Sequence, residues 1–305
     1  MPSQMLQRWR NIMTKLSTIF QLLTLFFIIS CSAQQNSYEK AKKLVKQNDF
    51  KDALEILNNI ISQNPKFDSA YLKRAYCFME LGNIQSSLND YNHLITIPSF
   101  KIAALDGRAA LYYKIMQYQK AIDDFTEIIN LDKNNYHAYY NRGIVKTEFK
   151  IYGTNPDTNS LTTSFDESGK SFYYDYNGAL EDYNKAIDLN PSYVDTYVMR
   201  GKLFIQLQKN AKALSDFNQA IHLDTSYFDA YLERAVLYKD MNDTNKSLAD
   251  FDKAIEINPK DPFTYINRAY LKRDLLHDKD GACKDFNKAE ELGLNINADD
   301  KKDCN

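Results

Sequence analysis

The chain has 305 residues, 44% hydrophobic and 26% charged, so it can bury a large core and is not disordered as a whole. Lysine and arginine number 38 against 40 aspartates and glutamates, and residues 1–30 carry Arg8, Arg10 and Lys15 but no acid. The remaining 35 basic and 40 acidic residues are mildly acidic and form no basic stripe. This balance argues against nucleic acid as the partner, because phosphate binding draws on clustered basic side chains.

The chain begins with a segment that has the proportions of a secretory signal. Lys15 precedes an apolar run over residues 16–29, which is too short to cross a bilayer comfortably. The run ends in Ile28-Ile29-Ser30-Cys31, which resembles the lipobox of bacterial lipoproteins, where cleavage before the cysteine leaves that residue to carry the lipid.

This resemblance implies a signal peptide over residues 1–30, with Met13 as the possible true start, and a lipidated tether over residues 31–36 that begins at Cys31. The protein would then be an exported, membrane-anchored lipoprotein of a bacterial envelope, facing the periplasm or the cell surface. An uncleaved anchor, or a buried apolar helix with an incidental cysteine, is the alternative.

A small residue recurs along most of the chain. It directly follows an arginine in every unit but the first, and apolar or aromatic residues lie around it at steps of three, four and seven. Its positions are Ala41, Ala75, Ala109, Gly143, Gly201, Ala235 and Ala269. Successive positions differ by 34 residues, except for one step of 58 from Gly143 to Gly201. The spacing of the aromatic residues predicts helices with one apolar face, and the small residue lets two helices approach closely.

These residues together resemble the tetratricopeptide repeat, a 34-residue helix-turn-helix unit. The resemblance covers residues 37–293 and implies an all-α fold, a superhelical solenoid of about seven helix-turn-helix units. Tyrosine replaces the usual tryptophan, for example at Tyr231, and arginine replaces the usual leucine, for example at Arg234. The first unit is degraded, which suits a terminal unit with a polar outer face.

Charged residues recur in two columns, one of arginines and one of aspartates. The columns are Arg74, Arg108, Arg142, Arg200, Arg234 and Arg268, and Asp90, Asp124, Asp182, Asp216, Asp250 and Asp285. They are either a charged ladder that grips a ligand or repeated ion pairs packed between helices. The second interpretation is favoured, because a residue present in every unit is explained by the stacking that every unit shares.

Two segments depart from the repeat. The 58-residue step places about 24 extra residues near residues 149–172, between the two helices of the fourth unit, and their polar composition predicts a loop or a weak hairpin. This insertion is either a binding element or a polar disordered loop. After the closing unit, the acidic residues 294–305 are expected to form a loose C-terminal tail.

The chain carries no recognisable catalytic or metal-binding motif. Cys77 falls within a predicted helix, where a thiol acts as a small apolar residue. Cys283 and Cys304 either form a disulfide outside the cytoplasm or remain free. The four histidines are scattered, and no glycine-rich phosphate loop or nucleophile elbow is present. We therefore expect no enzyme, no cofactor and no metal.

If the units stack as the resemblance implies, the first helices line a groove. Its predicted lining is Leu72, Tyr76, Met79, Tyr113, Tyr140, Ile144, Val198, Ile205, Leu232, Val236, Lys239, Ile266, Tyr270 and Arg273. The apolar and aromatic members favour a peptide or helix with apolar anchors, although ordinary packing between helices explains them equally well. The Lys, Asn and Arg set with which some family members bind a C-terminal carboxylate is not supplied at the corresponding places.

The function hypothesis is a non-enzymatic envelope lipoprotein that acts as a scaffold or adaptor and holds a protein or peptide in this groove. The first alternative is a structural solenoid that self-associates or spaces other envelope components. The second is an unrecognised enzyme or small-ligand binder built on the insertion.

Overall fold

The computed structural model describes residues 33–152, 164–302 and 304. The predicted signal peptide and Cys31 lie outside these residues, as does the middle of the insertion. Residues 33–36, expected to belong to the tether, are helical. Within the described ranges, no helix combines the length and the apolar character needed to cross a bilayer.

The chain divides into two compact units, with the boundary between residues 131 and 132. The described part of the first unit consists of three consecutive helix pairs. The pairs are α1 (33–46) with α2 (Phe50–Gln63), α3 (Asp68–Glu80) with α4 (Ile84–Ile95), and α5 (Lys101–Lys114) with α6 (Tyr118–Leu131).

The second unit contains four helix pairs among its described residues. The pairs are α7 (Tyr136–Glu148) with α8 (Tyr176–Leu189), α9 (Val194–Gln206) with α10 (Asn210–Leu223), α11 (Phe228–Asp240) with α12 (Thr244–Ile257), and α13 (Pro262–Tyr270) with α14 (Lys279–Glu291). A π-helical turn, Leu271–Leu275, extends α13, and a 3₁₀ turn, Ala298–Lys301, lies in the tail. The all-α fold class is confirmed.

In most described pairs, a residue with a left-handed backbone conformation (positive φ) follows the first helix and reverses the chain direction. It is Gly82 after α3, with φ +77°, and the others are Asn48, Met116, Gln208, Asn242 and His277, with φ between 54° and 60°. After α11, the N–H of Asn242 donates to Lys239 and the N–H of Asp243 donates to Tyr238, which satisfies the last carbonyls of the helix. Asp243 then accepts from the N–H of Lys246 and starts α12.

Every described pair except the first buries an aromatic side chain of its second helix, and the first pair buries Leu57 at this place. In α9, a Cβ added to Gly201 would lie 2.6 Å from the ring of Phe217, so the glycine sets how closely the two helices approach. Gly143 and Tyr183 repeat this contact between α7 and α8. Full burial of such a ring stabilises the pair by roughly 2–3 kcal/mol. The insertion between α7 and α8 therefore leaves their packing like that of an uninterrupted pair.

The insertion folds at its base as a three-stranded antiparallel sheet. The strands are β1 (Ile151–Tyr152), β2 (Ser164–Phe165) and β3 (Ser171–Tyr173), in the order β1-β3-β2. In register, Tyr152 and Ser164 both pair with Phe172, which is 7% exposed. Asp166 closes the turn before β3 by accepting from the N–H groups of Ser168 and Lys170. The described ends of the insertion are ordered strands rather than a loop.

The C-terminal tail packs against the last helix pair, so the expectation of a loose tail is wrong for its described residues. Ile296 is 7% exposed and lies in a hydrophobic cluster with Phe286. Lys301 Nζ donates to Glu290 at 2.6 Å. Cys304 forms a disulfide with Cys283 of α14. Burial, an ion pair and a covalent bond together fix the tail.

Candidate functional site

The recurring arginines and aspartates form bidentate ion pairs inside the helix pairs. Arg234 Nε and Nη2 donate to the two carboxylate oxygens of Asp250, both at 2.7 Å. The same two bonds, at 2.6–2.9 Å, join Arg74 to Asp90, Arg108 to Asp124, Arg142 to Asp182, Arg200 to Asp216, and Arg268 to Asp285. These aspartates are only 3–6% exposed, so each buried carboxylate needs a cationic partner. The arginine supplies it in every case, and Lys146 and Lys272 add a second cation at Asp182 and Asp285.

The remaining guanidinium nitrogen reaches the preceding helix pair. Arg234 Nη1 donates to Asn218 Oδ1 of α10 at 2.5 Å. The equivalent bonds join Arg74 to Asn58, Arg108 to Asn92, Arg200 to Asn184 and Arg268 to Asp252. Sequence reasoning missed these acceptors, although their own 34-residue recurrence was the signal that could have found them. The column links neighbouring pairs, and its arginines are engaged in packing rather than open to a ligand.

The groove residues predicted in the first unit differ in exposure. Tyr76 is 38% exposed, and Leu72 and Tyr113 are half-buried. Met79 is 7% exposed and lies in a hydrophobic cluster with Leu111 of α5. The prediction that Met79 lines a groove is wrong, because the next helix pair covers its side chain.

Most groove residues predicted in the second unit are half-buried. These are Tyr140, Ile144, Ile205, Leu232, Val236, Lys239 and Ile266. Val198 is 4% exposed and lies in the hydrophobic cluster that contains Ala230 and Tyr227 at the start of α11. The prediction for Val198 is therefore wrong for the same physical reason as that for Met79.

The tail engages the last two predicted groove residues. Tyr270 Oη donates to Asp300 Oδ2 at 3.1 Å, and Arg273 Nη1 donates to Asp300 Oδ1 at 3.1 Å. Arg273 also donates to Asp274 from Nε at 2.6 Å. The first-helix face of the last pair is thus occupied by the chain's own acidic tail rather than open along its length.

A group of aromatic and acidic side chains gathers where α7, α9 and α11 begin. This tyrosine cluster comprises Tyr136, His137 and Tyr140 of α7, Tyr193 and Asp195 at the start of α9, and Tyr227 and Asp229 at the start of α11. The ring centroids of Tyr140 and Tyr193 are 5.1 Å apart at 82°, and those of Tyr136 and Tyr193 are 5.2 Å apart at 65°. His137 lies 5.2 Å from Tyr193. The edge-to-face packing is favourable and holds the rings at fixed angles.

Two tyrosine hydroxyls converge on one carboxylate in this cluster. Tyr227 Oη donates to Asp195 Oδ1, and the Tyr193 hydroxyl lies beside the same carboxylate. Burial, together with Asp195 and Asp229, raises the pKa of Tyr140 to about 12. Burial and Asp195 likewise raise the pKa of Tyr193 and of Tyr227. The cluster therefore disfavours an added negative charge.

Of the cluster, sequence reasoning identified only Tyr140. Tyr193 and Tyr227 each directly precede a first helix, and Asp195 and Asp229 lie two residues further on. Both pairs are 34 residues apart, but that recurrence is limited to two units. A local repeat within the general one was the signal that could have found the cluster.

No group of histidine, cysteine, aspartate or glutamate side chains in residues 33–152, 164–302 and 304 is arranged to hold a metal ion. Cys77 is buried in α3, and burial raises the pKa of its thiol to about 11. The thiol therefore stays protonated near neutral pH and is a poor nucleophile.

Tetratricopeptide repeat models match four stretches of this chain. The matches cover residues 38–95, 175–207, 194–227 and 228–261. Residues 194–227 and 228–261 each cover one helix pair, and residues 38–95 cover nearly all of the first two pairs. Residues 175–207 cover α8 and α9, which belong to neighbouring pairs. The chain carries tetratricopeptide repeats, as the sequence predicts.

Curated relatives share the repeat over part of their length. Tetratricopeptide repeat protein 6 of Homo sapiens is 26% identical over 178 residues, which are 54% of this chain and 34% of that protein. Hsp70-Hsp90 organizing protein 1 of Glycine max is 29% identical over 97 residues, which are 32% of this chain and 17% of that protein. The chain thus spans about a third of the first relative and less than a fifth of the second.

Solved structures share the fold over most of the chain. A tetratricopeptide repeat protein from Parabacteroides merdae superposes with a TM-score of 0.60 at 21% identity, covering 88% of this chain and 96% of that one. The C-terminal part of a repeat protein from Cytophaga hutchinsonii gives a TM-score of 0.55 at 18% identity, covering 85% and 100%. At these identities the likeness establishes the fold and not the function.

Proposed function

We propose that the protein is a non-enzymatic scaffold or adaptor that binds a protein or peptide partner through the first helices of its repeats. This proposal rests on side chains of these first helices that do not recur from pair to pair and are not fully buried by packing between helices. Phe263 at the start of α13 is 58% exposed, and Leu232 and Lys239 of α11 are only half-buried. Unrepeated aromatic, apolar and basic groups on a rigid frame suit recognition of a peptide segment.

The relatives support the same class of function. Tetratricopeptide repeat proteins are generally interaction scaffolds, and the Glycine max relative is named as an organizing protein of Hsp70 and Hsp90. Because the match covers only 32% of this chain, that name does not identify the partner here.

Photo-crosslinking in intact cells tests the scaffold proposal. A crosslinking residue replaces Leu232 on α11, and a matched control replaces the exposed His222 on the second helix α10. We expect a heterologous protein to crosslink from position 232 and not from position 222. Equal or absent crosslinking at both positions contradicts the proposal, and crosslinks only between copies of this chain favour the self-associating spacer instead.

We further propose that the protein is an envelope lipoprotein anchored through Cys31. The support is the sequence alone, namely the short apolar run and the lipobox-like end at Ser30-Cys31, followed by a polar segment. A lipoprotein cysteine that carries several acyl chains gives stable anchoring, because each buried methylene contributes about 0.8 kcal/mol.

Fractionation tests the anchor. We expect Cys31→Ala to lose metabolic labelling with palmitate and to leave the membrane fraction, while Cys77→Ala, which changes a buried thiol, keeps both. A Cys31→Ala protein that is still lipid-labelled and membrane-bound contradicts lipidation at this residue.

A further inference from the structure

The tyrosine cluster is not required for the helix pairs to stack. At the place that Tyr193 and Tyr227 occupy, α3 is preceded by Phe67, which has no hydroxyl, and at the place of Asp195 and Asp229, α3 carries the uncharged Ser69. The pairs of the first unit pack without a tyrosine–aspartate network at this place. The hydroxyls and carboxylates of the cluster are therefore not a general requirement of the repeat.

The cluster combines ring faces with negative charge. Tyr136, Tyr140 and His137 pack edge-to-face around Tyr193 at centroid distances of 5.1–5.2 Å. The three tyrosines are only half-buried and His137 is exposed, so part of each ring remains accessible. Asp195 is half-buried among them, and Asp229 on the neighbouring helix is exposed. Aromatic faces and carboxylates both attract a cation, and partial desolvation strengthens the attraction.

The basic groups on these helices leave the negative charge of the cluster largely uncancelled. Lys202 of α9 pairs with Glu233 at 2.9 Å, and Lys146 of α7 pairs with Asp182 at 3.0 Å. Arg200 donates to Asp216, and Arg234 and Arg142 donate to the aspartates of their own pairs. Lys239 lies ten residues beyond Asp229, nearly three turns along α11. His137 is exposed at the rim.

We propose that the tyrosine cluster is a subsite for an arginine side chain of the bound partner segment, which deepens and rests on the scaffold function proposed above. A guanidinium is planar, so it stacks on a tyrosine ring while its N–H groups donate to carboxylates. Asp195, whose orientation the Tyr227 hydroxyl fixes, and Asp229 supply the acceptors. The exposed Phe263, at the equivalent place on α13, offers an apolar surface for a neighbouring residue of the same segment.

Fluorescence anisotropy with two matched peptides tests the arginine subsite in the full-length chain. The probes are a fluorescein-labelled tetra-arginine peptide and its tetra-citrulline counterpart, which keeps the shape and removes the charge. We expect the citrulline peptide to bind at least about tenfold more weakly, and Asp195→Asn with Asp229→Asn to weaken the arginine peptide by about the same factor. Tyr193→Phe, which keeps the ring, should lose less than the double variant.

The control removes the same number of charges elsewhere on the second unit. Glu181→Gln with Asp188→Asn changes two exposed acids of α8, so it should leave arginine-peptide binding within about twofold of the parent. Equal loss in both double variants, or equal binding of the two peptides, overturns the subsite and indicates only general charge attraction. Circular dichroism of each variant checks that the helices are retained.

Failure of the subsite and failure of the scaffold function are distinguishable. If the Leu232 crosslink to a partner persists in Asp195→Asn with Asp229→Asn while the peptides bind alike, the subsite is wrong and the scaffold stands. Loss of that crosslink in this variant but not in the α8 control supports the subsite. Absence of any crosslink from position 232 in the parent chain contradicts the scaffold function itself.

Discussion

The guanidinium of Arg234 is held from several directions at once. It donates twice to Asp250 of its own pair and once to Asn218 of the preceding pair, and its carbon lies 5.6 Å from the centre of the Tyr231 ring. A single side chain therefore joins the two helices of one pair and fixes that pair against the preceding one. Removal of Arg234 would leave the carboxylate of Asp250, which is 6% exposed, buried without its cationic partner.

We predict that Arg234→Leu destabilises the protein by about 3 kcal/mol, because it strands the buried Asp250 carboxylate. Urea-induced unfolding followed by circular dichroism measures the change. Arg234→Leu with Asp250→Leu should recover a large part of the loss, since an apolar pair replaces an ion pair at little cost.

Lys246→Ala on the exposed side of α12 serves as the control and should leave the unfolding midpoint in place. If the single and double variants at positions 234 and 250 lose equal stability, the arginine acts through its apolar contacts and not through the carboxylate.

For single residues, the sequence predicts the role of side chains that recur in every unit. It does not predict whether a side chain is buried by the helix pair next to it. The arginine and aspartate columns could be assigned to packing because every pair repeats them. Met79 and Val198 hold groove positions in the repeat, yet Leu111 and Ala230 on the next pair bury them. Burial of this kind depends on the three-dimensional fit of two helix pairs, which spacing alone does not specify.

Among the elements, the tail departs furthest from the prediction. It occurs once, so no recurrence marks its contacts, and its acidic composition suggested a loose segment. The contacts that hold it, Ile296 in the core and Asp300 on Tyr270 and Arg273, each come from one residue of a non-repeated stretch. The sequence offered the Cys283–Cys304 disulfide only as one of two outcomes, and the structure contains it.

We predict that Cys304→Ser loosens the tail and uncovers the last first-helix face. The disulfide spans 21 residues, so its removal costs the last pair roughly 3 kcal/mol in the loop-entropy model. Hydrogen exchange measured by mass spectrometry should show faster exchange in peptides covering residues 294–302 and unchanged exchange in α9 and α10.

Asp300→Asn provides a second variant that keeps the disulfide but weakens the contact with Arg273. It should raise exchange in the same peptides by a smaller factor. Unchanged exchange of residues 294–302 in both variants would mean that apolar burial of Ile296 alone fixes the tail.

The small sheet of the insertion is a second element that the sequence did not predict. Its polar composition predicted a loop or a weak hairpin, whereas β3 lies between β1 and β2 and places Phe172 in a buried position. Lys150 lies 4.7 Å from the centre of the Phe172 ring and covers it. A strand of two or three residues leaves too short an alternation to be recognised before its partners are known.

Across the whole molecule, buried tyrosines occur in both compact units. Tyr91 of α4 and Tyr183 of α8 are 2% and 0% exposed, and burial raises the pKa of each well above its ordinary value. Burial also raises the pKa of Tyr140 to about 12 and that of the Cys77 thiol to about 11. These groups are neutral when protonated, so the folded chain resists ionisations that the unfolded chain undergoes freely.

This difference predicts that the protein loses stability in alkali. Each such tyrosine has a higher pKa folded than its unfolded value of about 10, so its contribution is complete below pH of about 10 and is lost as the pH rises through the folded pKa. Exposed tyrosines such as Tyr152 should ionise first without loss of helix, and buried ones should ionise only as the helices unfold. Tyrosinate absorbance and circular dichroism, recorded together during an alkaline titration, follow the two events.

Tyr91→Phe removes one buried tyrosine from the first compact unit, and Tyr183→Phe removes one from the second. Each variant should lose its helical signal at a higher pH than the parent chain. Loss of helix before the buried rings ionise, with no shift in either variant, would assign alkaline unfolding to the lysines and arginines of the ion pairs instead.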